Sequence, residues 1–240
     1  MKKFELTTEF ITNALGKKLF RIKALVEFGS VKAGELGGYA EKEENISQDG
    51  NAWVSGDARV YGDAWVHGNA KVFGNAEVYG DTEVSGDAKV FGNVRVSDNV
   101  RVSDNAKVFG NAKVYGDAKV FGNAWVYGDA WVHGNAKVFG NAWVYGDTEV
   151  SGDAKVSDNA EVSGDADYAL VKGFGTEFRC TTFYRDKNKK IMVNCGCFHG
   201  DLEAFRKQVK ETRSGKIAKE YLMIADLMEY HFTSEDSSDE

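Results

Sequence analysis

The chain of 240 residues contains no proline, although average usage would place roughly a dozen in a chain of this length. Proline cannot donate a backbone hydrogen bond, so its absence favours a long, continuous ladder of paired strands. Cysteine is scarce too, because Cys180, Cys195 and Cys197 are the only three and lie close together. An odd count in one short region argues against a disulfide framework and for reduced thiols.

The sequence also lacks any apolar run long enough to span a membrane, and its start, MKKFELTTEF, has no apolar core of the signal-peptide type. The formal net charge is −7, and sixteen acidic residues outnumber ten basic ones between residues 51 and 166. A general nucleic-acid binder would need the opposite balance. These features predict a cytoplasmic protein with no membrane partner.

What the sequence does have is a six-residue repeat. Valine recurs every six residues from Val54 to Val162, nineteen times without a gap. Each unit reads A-x-V-x-G-(N/D), as in residues 70–75. Alternation puts the small residue and the valine on one face and the variable residues on the other. Gly followed by Asn or Asp supplies the positive φ that a sharp corner needs.

Two chain paths compete for this repeat. A meander of two-residue hairpins would set the valines against Lys, Glu and Trp on one side of the sheet, which would bury polar groups. Coiling in one direction instead stacks valine on valine and closes a parallel ladder. The repeat therefore predicts a parallel β-solenoid, although periodicity alone leaves its hand open.

The repeat resembles the hexapeptide-repeat left-handed β-helix family, in which three hexads form one triangular coil. This resemblance covers about half of the chain and implies a mainly β, three-sided, left-handed helix of about six coils, with right-handed coiling as the alternative. The runs GELGGY at residues 34–39 and GCFHGDLEAF at residues 196–205 also resemble hexapeptide-repeat proteins of phages and prophages.

Four regions are predicted along the chain. Residues 1–48 form an N-terminal β-hairpin cap, residues 49–166 the β-helix, residues 167–232 an α+β module, and residues 233–240 an acidic disordered tail. In the module we expect strands over 177–185 and 190–198, a helix over 202–212 with Asp201 as its N-cap, and a helix over 218–232. Both ends of the solenoid are thus covered, which prevents polymerisation through open strand edges.

Residues eighteen apart fall into columns on the outside of such a helix, and one side, which we call the aromatic face, combines rings with lysines. Its column after the valines is Phe73, Phe91, Phe109, Tyr127 and Tyr145, and its column before them is Trp53, Lys71, Lys89, Lys107, Trp125, Trp143 and Glu161. An exposed patch of this kind indicates a contact surface. The alternative is that stacked rings only stabilise neighbouring coils.

The solenoid histidines, the cysteines and, as described below, the corner carboxylates could carry chemistry. Many relatives of the solenoid are trimeric acyltransferases that bind acyl-CoA and use a histidine as general base, and His67 and His133 occupy outward positions here. The unbroken repeat leaves no extruded loop to build such a site, so both are also ordinary surface residues. If residues 187–188 are the hairpin loop, Cys180 lies opposite Cys195 with Cys197 and His199 on the same face. That set could ligate zinc or be packed thiols.

A row of corner residues from Asp63 to Asp153 could bind a divalent ion, although turns need Asn and Asp in any case. The favoured hypothesis is a non-enzymatic, cofactor-free binding or scaffold protein of phage type. Its aromatic face would meet a macromolecular partner, such as a host-defence protein, or its own copies in a homotrimer or homodimer. An acyl-CoA-dependent acyltransferase is the alternative, and binding of single-stranded nucleic acid is the weakest hypothesis.

Overall fold

The computed structural model describes residues 2–175 and 178–233. Short parallel strands joined by turns make up residues 53–162, and strands hold far more of the described residues than helices do, so the mainly β prediction is confirmed. The predicted tail, apart from Thr233, lies outside the described residues, as does Glu177 at the start of a predicted strand.

The repeat forms a parallel β-solenoid of about seven turns, against about six predicted, and its strands fall into three sheets. The aromatic face consists of Trp53–Val54, Lys71–Gly74, Lys89–Gly92, Lys107–Val108, Trp125–Val126, Trp143–Val144 and Glu161–Val162. The second face consists of Arg59–Val60, Glu77–Val78, Arg95–Val96, Lys113–Val114, Trp131–Val132 and Glu149–Val150. The third face consists of Trp65–Val66, Glu83–Val84, Arg101–Val102, Lys119–Val120, Lys137–Val138 and Lys155–Val156.

Strand partners are eighteen residues apart, as in the parallel pairing of Val72 with Val90 and of Val90 with Val108. All nineteen valines are fully buried, and the small residues two positions earlier line the same interior. Each valine therefore packs on the valines above and below it, and burial of one valine side chain contributes about 1.5 to 2 kcal/mol.

Corners are joined by ladders of asparagine amides. Asn93 Nδ2 donates to Asn111 Oδ1 at 3.2 Å, and Asn111 Nδ2 donates in turn to Asp129 Oδ1 at 2.9 Å. All these bonds run toward the C-terminal end, and this ladder stops at Asp129 because a carboxylate has no N–H to pass on. Where the repeat replaces the corner glycine by Asp104, φ is +59° and the side chain accepts from Gly122 N.

The N-terminal end of the solenoid presents backbone carbonyl groups, and residues 3–50 cover them. Strands β1 (Phe4–Thr12), β2 (Lys18–Ala24) and β3 (Leu36–Ala40) are antiparallel, and β3 then pairs in parallel with the strand at Arg59. Gly38 permits this docking, because a Cβ there would lie 2.6 Å from the carbonyl oxygen of Ala58. The buried Lys3 ammonium donates to the carbonyls of Asp49, Gly50 and Ala52.

The C-terminal module is an antiparallel sheet covered by two helices. Its strands are Tyr168–Phe174, Arg179–Arg185, Ile191–Cys195 and Phe198–Asp201, followed by α1 (Leu202–Thr212) and α2 (Gly215–Thr233). The predicted N-cap is confirmed, since Asp201 accepts from Ala204 N at 2.7 Å. The first and last strands of this sheet were not predicted, and α2 begins three residues earlier than expected.

A polar network docks this sheet on the last coil of the solenoid. The Tyr184 hydroxyl lies 3.0 Å from Ser157 Oγ and 3.1 Å from His199 Nε2. His199 Nε2 also lies 2.6 Å from Asp158 Oδ2, and Thr182 Oγ1 accepts from Lys155 N at 3.0 Å. The module therefore covers part of the C-terminal edge of the solenoid.

Candidate interaction surface

The ring column of the aromatic face is a continuous stack in the structure. Centroids of successive rings from Phe73 to Tyr145 lie 4.7 to 5.0 Å apart, and their planes differ by 1 to 6°. All five rings are partly exposed. Tyr145 closes the column by donating to Glu161 Oε1 at 2.8 Å, and this hydrogen bond together with burial raises the pKa of Tyr145. The column is a rigid ridge with little side-chain entropy left to lose on contact.

The second column of this face adds tryptophans and lysines. Trp125 and Trp143 stack at 5.3 Å, and Lys107 Nζ lies 4.2 Å from the Trp125 ring centroid, in cation–π geometry. Trp143 keeps 41% of its surface exposed. The upper part of the face is thus aromatic and open to solvent.

Trp53 does not belong to this exposed surface, which corrects the prediction. It is only 4% exposed, because Phe4 and Phe28 of the N-terminal cap pack edge-on against its ring at 6.4 and 5.4 Å. The hexad pattern gave no sign of this, since both covering rings lie outside the repeat. The available face therefore begins at Lys71.

A cleft of about 650 Å³ opens where the cap meets the aromatic face. Residues 29–31 form one side, and Lys71, Phe73 and Lys89 are among the residues on the other. Lys71 Nζ donates to Ser30 Oγ across it at 3.2 Å. Ser55 stands where the next ring of the column would be, so one side of Phe73 faces this cleft without a ring neighbour in the column.

Ring stacking also occurs on the other two faces, but in short runs. Tyr61 stacks on Tyr79 at 4.9 Å on the second face, and Phe121 stacks on Phe139 at 5.0 Å on the third. Stacking is therefore a general means of stabilising neighbouring coils in this solenoid. Its length and its lysine and tryptophan neighbours distinguish the aromatic face.

The two solenoid histidines each contact a glutamate of the next coil and lie on different faces. His67 Nε2 is 2.9 Å from Glu83 Oε1, and His133 Nε2 is 2.7 Å from Glu149 Oε1. His67 also stacks on Trp65 at 3.8 Å. The structure does not bring the two imidazoles together.

The four possible zinc ligands do not converge as the predicted register required. Thr181, not Cys180, pairs with Cys195, and Thr181 Oγ1 donates to Cys195 Sγ at 3.1 Å. Since successive residues of a strand face opposite sides, Cys180 and Cys195 lie on different faces of the sheet. In residues 2–175 and 178–233 no three His, Cys, Asp or Glu side chains are grouped to hold a metal ion, the corner carboxylates included.

Comparison with known proteins gives two family matches. Residues 64–172 match the bactofilin family, described as polymer-forming and cytoskeletal. Residues 52–68 match the YdcK beta solenoid repeat. No curated protein matches the chain. The chain is thus similar to polymer-forming β-solenoid proteins over a range that contains all five rings of the aromatic face, from Phe73 to Tyr145.

Neither match supports the phage resemblance, which stays a prediction. Of the helices in the described ranges, none combines the length and apolar character needed to cross a bilayer.

Proposed function

We propose that this chain is a non-enzymatic cytoplasmic scaffold that associates with copies of itself through the aromatic face. The observation that carries the proposal is the five-ring stack beside Trp125 and Trp143, which lies within the residues similar to a polymer-forming family. Rigid, partly exposed aromatic residues are the side chains that contribute most at protein interfaces. We also infer a left-handed coil from the hexapeptide-repeat resemblance.

Lateral association is favoured because the N-terminal cap covers the strand edge at its end and the module covers part of the edge at the C-terminal end. At the N-terminal end Tyr39 N already donates to Ala58 O, and at the C-terminal end Lys155 N donates to Thr182 Oγ1. Direct end-to-end pairing of two solenoids would first have to displace these segments. The sides need no rearrangement.

The test measures self-association of the full chain after the central rings of the stack have been replaced. We expect Phe91→Ser, Phe109→Ser, Tyr127→Ser to stay folded by circular dichroism and to become monomeric in sedimentation velocity. The matched control is Phe121→Ser, Phe139→Ser, which removes a stack of the third face and should associate like the unmodified chain. Unchanged association of the triple variant would exclude the aromatic face.

An acyl-CoA-dependent acyltransferase stays the alternative, with His67 or His133 as general base. Acetyl-CoA that stabilises the chain against heat, with the effect lost in His67→Ala, His133→Ala, would favour it. A host-defence protein as partner also stays a prediction, and the proposal of self-association does not depend on it.

A further inference from the structure

We infer that two copies pair face to face through their aromatic faces in antiparallel orientation, with a two-fold axis between the coils of Lys107 and Trp125. This inference rests on the proposed function and adds the orientation, register and contacts. It comes from the order of side chains along the face. This order is complementary to the same face of a second copy that runs in the opposite direction.

The column before the valines divides into two halves. Three lysines, Lys71, Lys89 and Lys107, come first, and then Trp125, Trp143 and Glu161. Reversing one copy about the axis sets each lysine opposite a group that attracts a cation. The pairs between the two copies are Lys71 with Glu161, Lys89 with Trp143, and Lys107 with Trp125, where Lys107 Nζ already lies 4.2 Å from the Trp125 centroid of its own copy.

The ring column divides at the same place. A two-fold axis parallel to the strands reverses the coil order and keeps each column opposite itself. Phe109 of one copy then faces Tyr127 of the other, and Phe91 faces Tyr145. Each phenylalanine meets a tyrosine, an arrangement that buries ring surface while the phenol hydroxyl can stay at the rim.

The shapes of the two halves also match. The cleft of about 650 Å³ lies at the lysine end, beside Lys71, Phe73 and Lys89. Its counterpart in the reversed copy is the end that carries Trp143, which is 41% exposed. The projecting indole therefore lies opposite Lys89, at the margin of a cleft that Lys71, Phe73 and the carboxylates Glu35 and Asp87 also line.

The parallel two-fold arrangement is disfavoured by charge. It would place the lysine column opposite the ring column at the same level, so six ammonium groups from two copies would gather at one end. It would also leave both copies of Glu161 together at the other end. Like charges gathered at one end repel, and antiparallel pairing replaces this repulsion by two Lys71–Glu161 ion pairs.

A charge swap tests the register in the full chain. We expect Lys71→Glu and Glu161→Lys each to raise the dimer dissociation constant at least about tenfold, and the double variant to return within about threefold of the unmodified chain. Lys137→Glu on the third face is the control and should change nothing. Additive weakening in the double variant would overturn the antiparallel register.

The outcomes separate this inference from the proposed function. If the Phe91, Phe109, Tyr127 triple variant is monomeric but the double charge-swap variant does not regain affinity, association through the aromatic face is supported and the antiparallel register is excluded. If the triple variant associates normally, the proposed function fails first.

Cross-linking provides a readout that does not depend on affinity. In a Cys197→Ser background, a mixture of Lys89→Cys and Trp143→Cys chains should form disulfide-linked dimers. A mixture of Lys89→Cys and Phe91→Cys chains should not, because those positions face each other only in the parallel arrangement. The reverse result would establish parallel pairing and overturn the inference.

Discussion

Trp143 and Trp131 offer a matched pair of substitutions that isolates the aromatic face. Both are 41% exposed, but Trp143 lies on the aromatic face and Trp131 on the second face. Each loses one ring interaction within the monomer when changed to serine: Trp143 stacks on Trp125 at 5.3 Å, and Lys113 Nζ lies 4.1 Å from the Trp131 centroid. Each change to serine also removes about 150 Å² of ring surface buried within the monomer, so we expect similar losses of folding stability, about 3 to 5 kcal/mol.

Their effects on association should differ widely. A tryptophan buries up to about 250 Å², so the exposed part of Trp143 is about 100 Å², worth about 2.5 kcal/mol in each copy. Two copies lose about 5 kcal/mol, of which about 2 kcal/mol is offset by side chains no longer ordered on contact. A net loss of about 3 kcal/mol weakens the dimer roughly a hundredfold.

The assay is sedimentation equilibrium over a concentration series, with urea unfolding to confirm equal stability. Trp143→Ser should shift the dimer midpoint by about two decades, and Trp131→Ser should leave it in place. Equal shifts in the two variants, or none in Trp143→Ser, would refute the reasoning.

Three further predictions concern the fold. Gly38→Ala should cost about 1 to 3 kcal/mol or more in thermal unfolding, because its Cβ would press on the fixed carbonyl of Ala58. Burial lowers the pKa of Lys3 to about 8. Between about pH 8 and 10.5 only the unfolded chain keeps the proton on this lysine, so the free energy of unfolding should rise with pH over that range, by up to about 3 kcal/mol. Asn111→Asp should cost about 1 to 2 kcal/mol, since it removes a donor and sets a carboxylate beside Asp129.

Each of these has a control with a clear contrary outcome. Gly164→Ala should be neutral, because that glycine has a negative φ and open space around it, and equal losses at both glycines would contradict the docking argument. Lys3→Met should remove the rise with pH, and persistence of the rise would assign it to another group. Asp129→Asn should stabilise by extending the amide ladder toward Asp147, whereas destabilisation would argue against the ladder.

The solenoid could be predicted because the alternation, the corner residues and the spacing of the repeat all favour the same structure. Alternation around Val90 sends Lys89 and Phe91 outward, the corner glycines supply positive φ, and uniform six-residue spacing leaves one register that stacks valine on valine. The ring column from Phe73 to Tyr145 follows from the same spacing. No long-range information was needed for that column.

The failures lie where the repeat meets other segments. Burial of Trp53 depends on Phe4 and Phe28, which reach it through tertiary packing. The cysteine register depends on one turn residue: Lys189 adopts φ of +63°, and Asp186 N donates to Lys190 O, so the loop is one residue longer than predicted. One residue of shift reverses the side of the sheet on which Cys180 lies.

The most direct test of the account is a cryo-EM structure of the assembled full chain, which shows which surfaces of the copies are in contact. We predict adjoining solenoids side by side, with Phe91, Phe109 and Tyr127 buried between them and the coil order of one copy reversed against the other. An assembly held only by end-to-end contacts, with these three rings open to solvent, would contradict it.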